Sequence, residues 1–481
     1  MKNVTRDIER RLARRLGPAL ASVLALSPGP AVAEPVAGGE RPAAGASPLD
    51  ATPATRLEQD LRCRLGVYVF PDRRHVVVTG DDGHPRDLGY TLSSRVFGSM
   101  QATPSGVYTS RSFSASFSSC TERTLTLARG NVTERGTRMR LVERAVTFES
   151  DGVRLRGKLV LPEGGGAQAL AVWIEGSNND PSTDDSVWQY ELARRGVAMF
   201  VYDKRGTGGS SGAQTSDFLL RAHDTAAAVT EARRLAPGVR RVGVIGGSQG
   251  GWVAPLVATL VPLDFVMPVF ALADGPIAQD RALVEQQLRE AGFDDAALAQ
   301  ARALTAITEH IVRSNLGDGF EALEQFKREH ADAPWLAAVQ PRSYTGLFLR
   351  YSTDEIRAIG PAAAQGLSFG YDPRPVIESI APRQLWLLGG SDRQAPNAAT
   401  QRILREIQQT RSDLSVVVFP AADHGLVEPV ETRDGPAMAY APNLFDIAAT
   451  WITTNRVPQR GRFIVMPDVD PRPPAFPAYP P

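Results

Sequence analysis

Two serines of this chain sit in the pattern G-x-S-x-G. Ser210 lies between Gly208 and Gly212 in "RGTGGSSGAQ", and Ser248 between Gly246 and Gly250 in "VIGGSQGGWVAPLV". A serine hydroxyl becomes a useful nucleophile when a base takes its proton and a carboxylate holds that base in the right tautomer. Where such a serine stands on a sharp strand-to-helix turn, the chain order is serine, then Asp or Glu, then His. Ser248 meets the local requirement. "RVGVIG" reads as a strand and "GWVAPLVATL" as a helix, and Gly246, Gly247, Gly250 and Gly251 leave room for a crowded turn. Ser210 is separated from its strand by "DKRGTGG", and "AQTSD" intervenes before any helix, so its glycines read as a loop bordering the site.

Six histidines are available as base. His75 and His84 lie in a β-rich N-terminal stretch, and His223 precedes Ser248. His310 and His330 fall on helical patterns, where a solvated face explains them. His424, in "VVVFPAADHGL", follows the last strand and is the candidate base. Asp392, on the loop after the strand "LWLLGG", is the candidate acid, with Asp274 after "VFALA" as the alternative. Asp423 adjoins His424 and is expected to point elsewhere. The chemistry of such a set is acyl transfer at a carbonyl carbon, with no metal or organic cofactor.

The surrounding texture supplies elements to hold these groups. From Cys63 to Glu134, short apolar runs such as "LGVYVF" and "HVVVTG" alternate with turns such as "GDDG" and "TPSG", which predicts a small all-β domain over 60–140. From 141 the texture changes. A hairpin about Asp151-Gly152 is followed by repeated strand–helix units, which predicts an α/β fold with a mostly parallel sheet and helices on both faces. That rhythm covers 141–274 and 373–457. Between them, 275–372 shows helical patterns and no clear strand, and is expected to be an inserted helical cap.

As a set, "DGVRLRGKLVLP", "IEGSN", "YDKRGTGGSSG", "GGSQGGWVAP", "LLGGSD" and "DHG" resemble the α/β-hydrolases. More narrowly they look like bacterial two-part esterases related to the serine aminopeptidase-like hydrolases. The resemblance runs from about Phe148 to Arg456. It implies Ser248 as nucleophile, Asp392 as acid and His424 as base. It also implies an oxyanion hole at "EGS", with the backbone N–H groups of Ser177 and Gln249 as donors. Glu175 stands where the family usually has a histidine; the backbone donor survives that change, while the side-chain bonds of the loop differ. The expected activity is cleavage of carboxylic esters of small molecules through an acyl-enzyme. A peptidase, an amidase or an acyltransferase would use the same triad, and a non-catalytic binding protein could share the fold.

Composition bounds the remaining possibilities. A chain of 481 residues is too long for one compact core. Its 53 basic and 53 acidic residues cancel, giving no electrostatic reason for a nucleic-acid partner. Two cysteines, Cys63 and Cys120, exclude a cysteine-rich metal cluster. "RRLARR", the apolar "LGPALASVLAL" and Ala31-Val32-Ala33 read as a signal peptide over 1–33 with a mature start at Glu34. The apolar run is roughly half of the ~20 residues that a membrane span needs. Residues 34–59 read as a linker and 458–481 as a Pro-rich tail. Export, to a periplasm or outside the cell, would favour a Cys63–Cys120 disulfide.

Overall fold

The computed structural model describes residues 59–81, 84–357, 366–458 and 461–466. The expected signal peptide, almost all of the linker and most of the Pro-rich tail lie outside them.

The N-terminal part is a ring of antiparallel strands. These are β1 (Gly66–Val69), β2 (His75–Gly80), β3 (Leu88–Leu92), β4 (Val96–Ala102), β5 (Tyr108–Thr109), β6 (Ser114–Phe117), β7 (Thr124–Arg129) and β8 (Val132–Arg138). Each pairs with the next except β8, which returns to β1, and β5 pairs with the end of β4, so the eight strands close. The period-2 alternation seen in the sequence turns Val67, Val77, Leu88, Met100 and Leu125 inward. Cys63 and Cys120 form a disulfide across a separation of 57 residues.

The second sheet holds β9 (Val142–Ser150), β10 (Val153–Leu161), β11 (Ala169–Ile174), β12 (Val197–Tyr202), β13 (Val242–Gly247), β14 (Phe265–Val269), β15 (Arg383–Gly389) and β16 (Leu414–Phe419). Its order is β16-β15-β14-β13-β11-β12-β10-β9. The run from β12 to β16 pairs in parallel, while β9 and β10 form an antiparallel hairpin turning at Asp151 and Gly152. Strands β11 to β15 are almost wholly buried, as sheets covered on both faces are.

Between β14 and β15 the chain makes the helices Pro276–Glu290, Asp295–Arg313, Phe320–Glu329, Tyr344–Arg350 and Arg374–Ser379, and among the described residues no strand. Apolar residues at helical spacing, such as Val284 and Leu288, or Ala301 and Leu304, belong to the same connected apolar cluster as Leu155 of β10 and Val172 of β11.

After β16 comes a hairpin that the sequence reading passes over: β17 (Val427–Thr432) and β18 (Gly435–Tyr440). Strand β18 pairs with the start of β4, Met438 opposite Phe97, so this hairpin belongs to the N-terminal sheet. A two-residue strand, β19 (Ile464–Val465), then edges β16. The ring and the second sheet share one apolar cluster, running from Val76 and Met100 through Trp188 and Tyr190 to Met199 and Leu426. At its rim Arg62 and Arg156 both bond Asp184, at 3.0 and 2.9 Å. Among the described residues, no helix is long and apolar enough to cross a membrane.

Candidate active site

Ser248 occupies the one-step turn between β13 and the helix Gly250–Leu260, with φ at +52°. A left-handed backbone costs a non-glycine residue about 1–2 kcal/mol. The turn is held by Ser248 N–H to the Val269 carbonyl, 3.0 Å, and Gly251 N–H to the Ser248 carbonyl, 2.8 Å. Its tightness explains the flanking glycines. A Cβ on Gly246 would stand 2.2 Å from the Gly250 carbonyl oxygen, and one on Gly250 would stand 2.3 Å from that of Ile174.

His424 Nε2 lies 3.0 Å from Ser248 Oγ, and its Nδ1 lies 2.9 Å from Asp392 Oδ2. Asp392 sits on the loop after β15, its other oxygen accepting the N–H groups of Gln394 and Ala395. His424 sits on the loop after β16. The two loops are stitched together: Gly390 N–H donates to the Phe419 carbonyl, Ser391 N–H to that of Ala422, and Arg393 N–H to Asp423 Oδ1. Asp423 also caps His424 N–H at 2.7 Å, so its carboxylate serves the backbone. Phe270, itself at positive φ, meets the imidazole edge to face at 5.2 Å.

Ser177 follows β11, and Gln249 follows Ser248. Around them stands a charged network. The Glu175 carboxylate accepts Trp173 Nε1–H, Gly176 N–H and Ser182 Oγ–H, which ties down the loop carrying Ser177. The buried Arg221 guanidinium donates to Gln249 Oε1 and to the carbonyls of Glu175 and Gly176, so it spans both segments. Lys204 Nζ donates to the carbonyls of Gly176, at 2.8 Å, and Asn178. Burial, with Arg221 adding to it, pushes the Lys204 ammonium down to about 7. Arg221 is absent from the sequence reading, because "DFLLRAHDTAAAVTEARRLA" reads as an ordinary amphipathic helix. Its one signal is position: Arg221 falls on the face of Phe218, Ala222 and Thr225, where a charge needs a reason.

Two clefts meet at Gln249. One, of about 290 Å³ with its open mouth included, lies among Ser248, Trp252, Phe270, Leu272 and Gln279. The other, of about 500 Å³ with its open mouth included, is lined by Ser177, Lys204, Gln214, Thr215, Arg221 and their polar neighbours.

The remaining candidates are engaged elsewhere. Ser210 Oγ donates to the Asp203 carbonyl and accepts Arg156 N–H, which pins its loop to β10. Asp274 accepts Thr400 Oγ–H at 2.7 Å, and burial raises its carboxyl. His75 meets Glu191, His310 meets Asp318, and His330 stacks on Phe326. Among the described residues, no group of three or more His, Cys, Asp or Glu side chains is placed to hold a metal.

Similar structures include an esterase from Pyrococcus furiosus, at 16% identity and a TM-score of 0.37 over 59% of this chain and 83% of its own. Est1E from Butyrivibrio proteoclasticus, with ferulic acid bound, is 16% identical, with a TM-score of 0.37 over 64% and 96%. A thermophilic esterase from Thermogutta terrifontis is 17% identical, with a TM-score of 0.34 over 58% and 91%. No curated protein matches the sequence. Residues 176–435, more than half of the chain, match the alpha/beta hydrolase family, to which this protein belongs.

Proposed function

We propose that this protein is a serine hydrolase that cleaves carboxylic esters of small molecules through an acyl-enzyme. The observation that carries the reading is His424 standing between Ser248 Oγ and Asp392. In the first half-reaction His424 Nε2 takes the Ser248 proton as Oγ attacks the ester carbonyl carbon. The resulting oxyanion accepts the N–H groups of Gln249 and Ser177, each such donor being worth about 3 kcal/mol in the transition state. His424 then protonates the departing alkoxide, and the acyl-enzyme remains. In the second half a water gives its proton to His424, attacks the acyl carbon and releases the acid with Ser248 restored. Asp392 holds the imidazole tautomer and stabilises the imidazolium.

The helices between β14 and β15 serve as a cap in this reading, since Gln279, from the first of them, borders the Ser248 cleft. Export is part of the proposal. The Cys63–Cys120 disulfide supports it, because such bonds persist in oxidising compartments.

Hydrolysis of p-nitrophenyl esters of graded chain length, run beside aminoacyl-anilides, tests the reading. Ser248→Ala is expected to lose at least about 10⁴-fold in kcat and all labelling by an organophosphonate serine probe. Ser210→Ala is expected to keep much of the activity. A dead Ser210→Ala beside an active Ser248→Ala would move the nucleophile.

A further inference from the structure

The larger cleft has a chemical character that the triad does not explain. Every residue lining it has a polar side chain. Of its three cations, Arg205 is neutralised by Asp224 through two bonds of 2.7 and 2.6 Å. The other two, Lys204 and Arg221, donate to backbone carbonyls and to Gln249, and among the described residues neither forms an ion pair. The carboxylates of Glu175 and Asp180 act on Lys204, and those of Glu175 and Asp224 on Arg221, from beyond ion-pair distance, so the direct bonds of both cations go to carbonyl oxygens, a costly arrangement for a charge withdrawn from water. An ammonium has three N–H donors. Two of those on Lys204 are taken by Gly176 and Asn178, which leaves one for an incoming acceptor. Ser177 and Gln249 line the same cleft, so a group seated there lies beside the site of the reacting carbonyl.

We infer that this cleft is a subsite for a carboxylate carried by the substrate, and that Lys204 is the cation that docks it. The inference rests on the ester-hydrolase reading and narrows it: the preferred substrates are anionic esters, such as half-esters of dicarboxylic acids. A charge-assisted N–H···O bond in a partly dehydrated cleft supplies the selectivity. Uncharged esters leave the two cations without a directly bonded anion and are bound less well.

Lys204 gives the subsite a pH signature. Its charge is lost near pH 7; burial is the main cause, Arg221 adds to it, and the carboxylates of Glu175 and Asp180 oppose it. Preference for the anionic ester is therefore full below pH 7 and falls above it.

The experiment compares monoethyl adipate with ethyl hexanoate, two ethyl esters of matched chain length, by ethanol release. The readout is the ratio of their kcat/KM values. Wild-type enzyme is expected to favour the half-ester, and the ratio to fall as pH rises from 6 to 8. Lys204→Met is expected to lower that ratio by about 10-fold or more. An unchanged ratio in a folded Lys204→Met, including an equal loss on both esters, overturns the subsite and leaves Lys204 as a brace for the loop at Gly176. Should Lys204→Met fail to fold, the wild-type pH series decides alone, and a flat ratio overturns the proposal. If the wild type cleaves neither ester, the hydrolase reading fails by itself. Calorimetry of adipate with the wild-type protein then judges the subsite, and no binding at millimolar adipate overturns it.

Discussion

Asp392 and Asp274 both stand on loops at the ends of neighbouring strands, and their partners separate them. Asp392 offers one oxygen to His424 and the other to two backbone N–H groups, while Asp274 faces Thr400. Asp392→Asn is expected to lower kcat by about 10⁴-fold through the wrong imidazole tautomer. Asp274→Asn should cost far less, and steady-state kinetics on both folded variants decides. Arg221 invites a test of a different kind, because it touches both Gln249 and the Glu175–Gly176 segment. Arg221→Met is expected to lower kcat by about 10-fold or more while leaving KM for a neutral ester nearly unmoved; a change confined to KM would assign it to binding alone. The serine, the histidine and the carboxylate could be read from the sequence because each lies on a loop next to a strongly apolar strand. Arg221 and Lys204 could not, since their roles come from where the helix Phe218–Leu235 and β12 bring them, and spacing alone does not report that.

At the level of elements, the strand–turn–helix around Ser248 and the hairpin at Asp151-Gly152 were legible from apolar runs and turn residues. The β17–β18 hairpin was not. Pro429 and Pro436 weaken its strand signal, and only the Asp434-Gly435 pair marks the turn. Its strands are stabilised by docking on β4, a partner far away in the chain. The helical insertion was legible as helices, though not the carboxyl it buries. Asp280 accepts Thr345 N–H and Thr345 Oγ–H, and burial pushes its carboxyl up to about 7. A raised acid favours the folded state when protonated, so this contribution is full at low pH and is lost as pH rises from the unfolded value through about 7. Asp280→Asn, neutral at every pH, should therefore gain a few degrees in melting temperature relative to wild type between pH 5 and pH 8. An equal difference at both pH values would contradict that assignment.

Across the whole molecule, the ring and the α/β sheet are joined by one apolar cluster and by charges at its rim. Burial alone would raise the Glu191 carboxyl, but His75, Arg195 and Arg194 outweigh it and hold it down at about 2. A depressed acid stabilises the fold above its unfolded value and loses that contribution as pH falls, here between about pH 4.5 and 2. The loss is on the order of 3 kcal/mol. Melting curves from pH 5 to 2 should drop through this window and flatten in Glu191→Gln. The disulfide acts on the ring. Closing 57 residues removes unfolded-chain entropy worth about 4 kcal/mol, so Cys63→Ser with Cys120→Ser should lower the melting temperature by several degrees, and the same fall should follow mild reduction of the wild type. The pairing of β18 with β4 also sets a timetable. The ring is made first by the ribosome, yet the hairpin that lies along β4 emerges about 340 residues later. Until then the edge at Val96 and Phe97 is open to any extended segment that passes. The finished ring therefore depends on a segment synthesised long after it, and a chain truncated before 424 would carry a bare strand edge as well as lack His424.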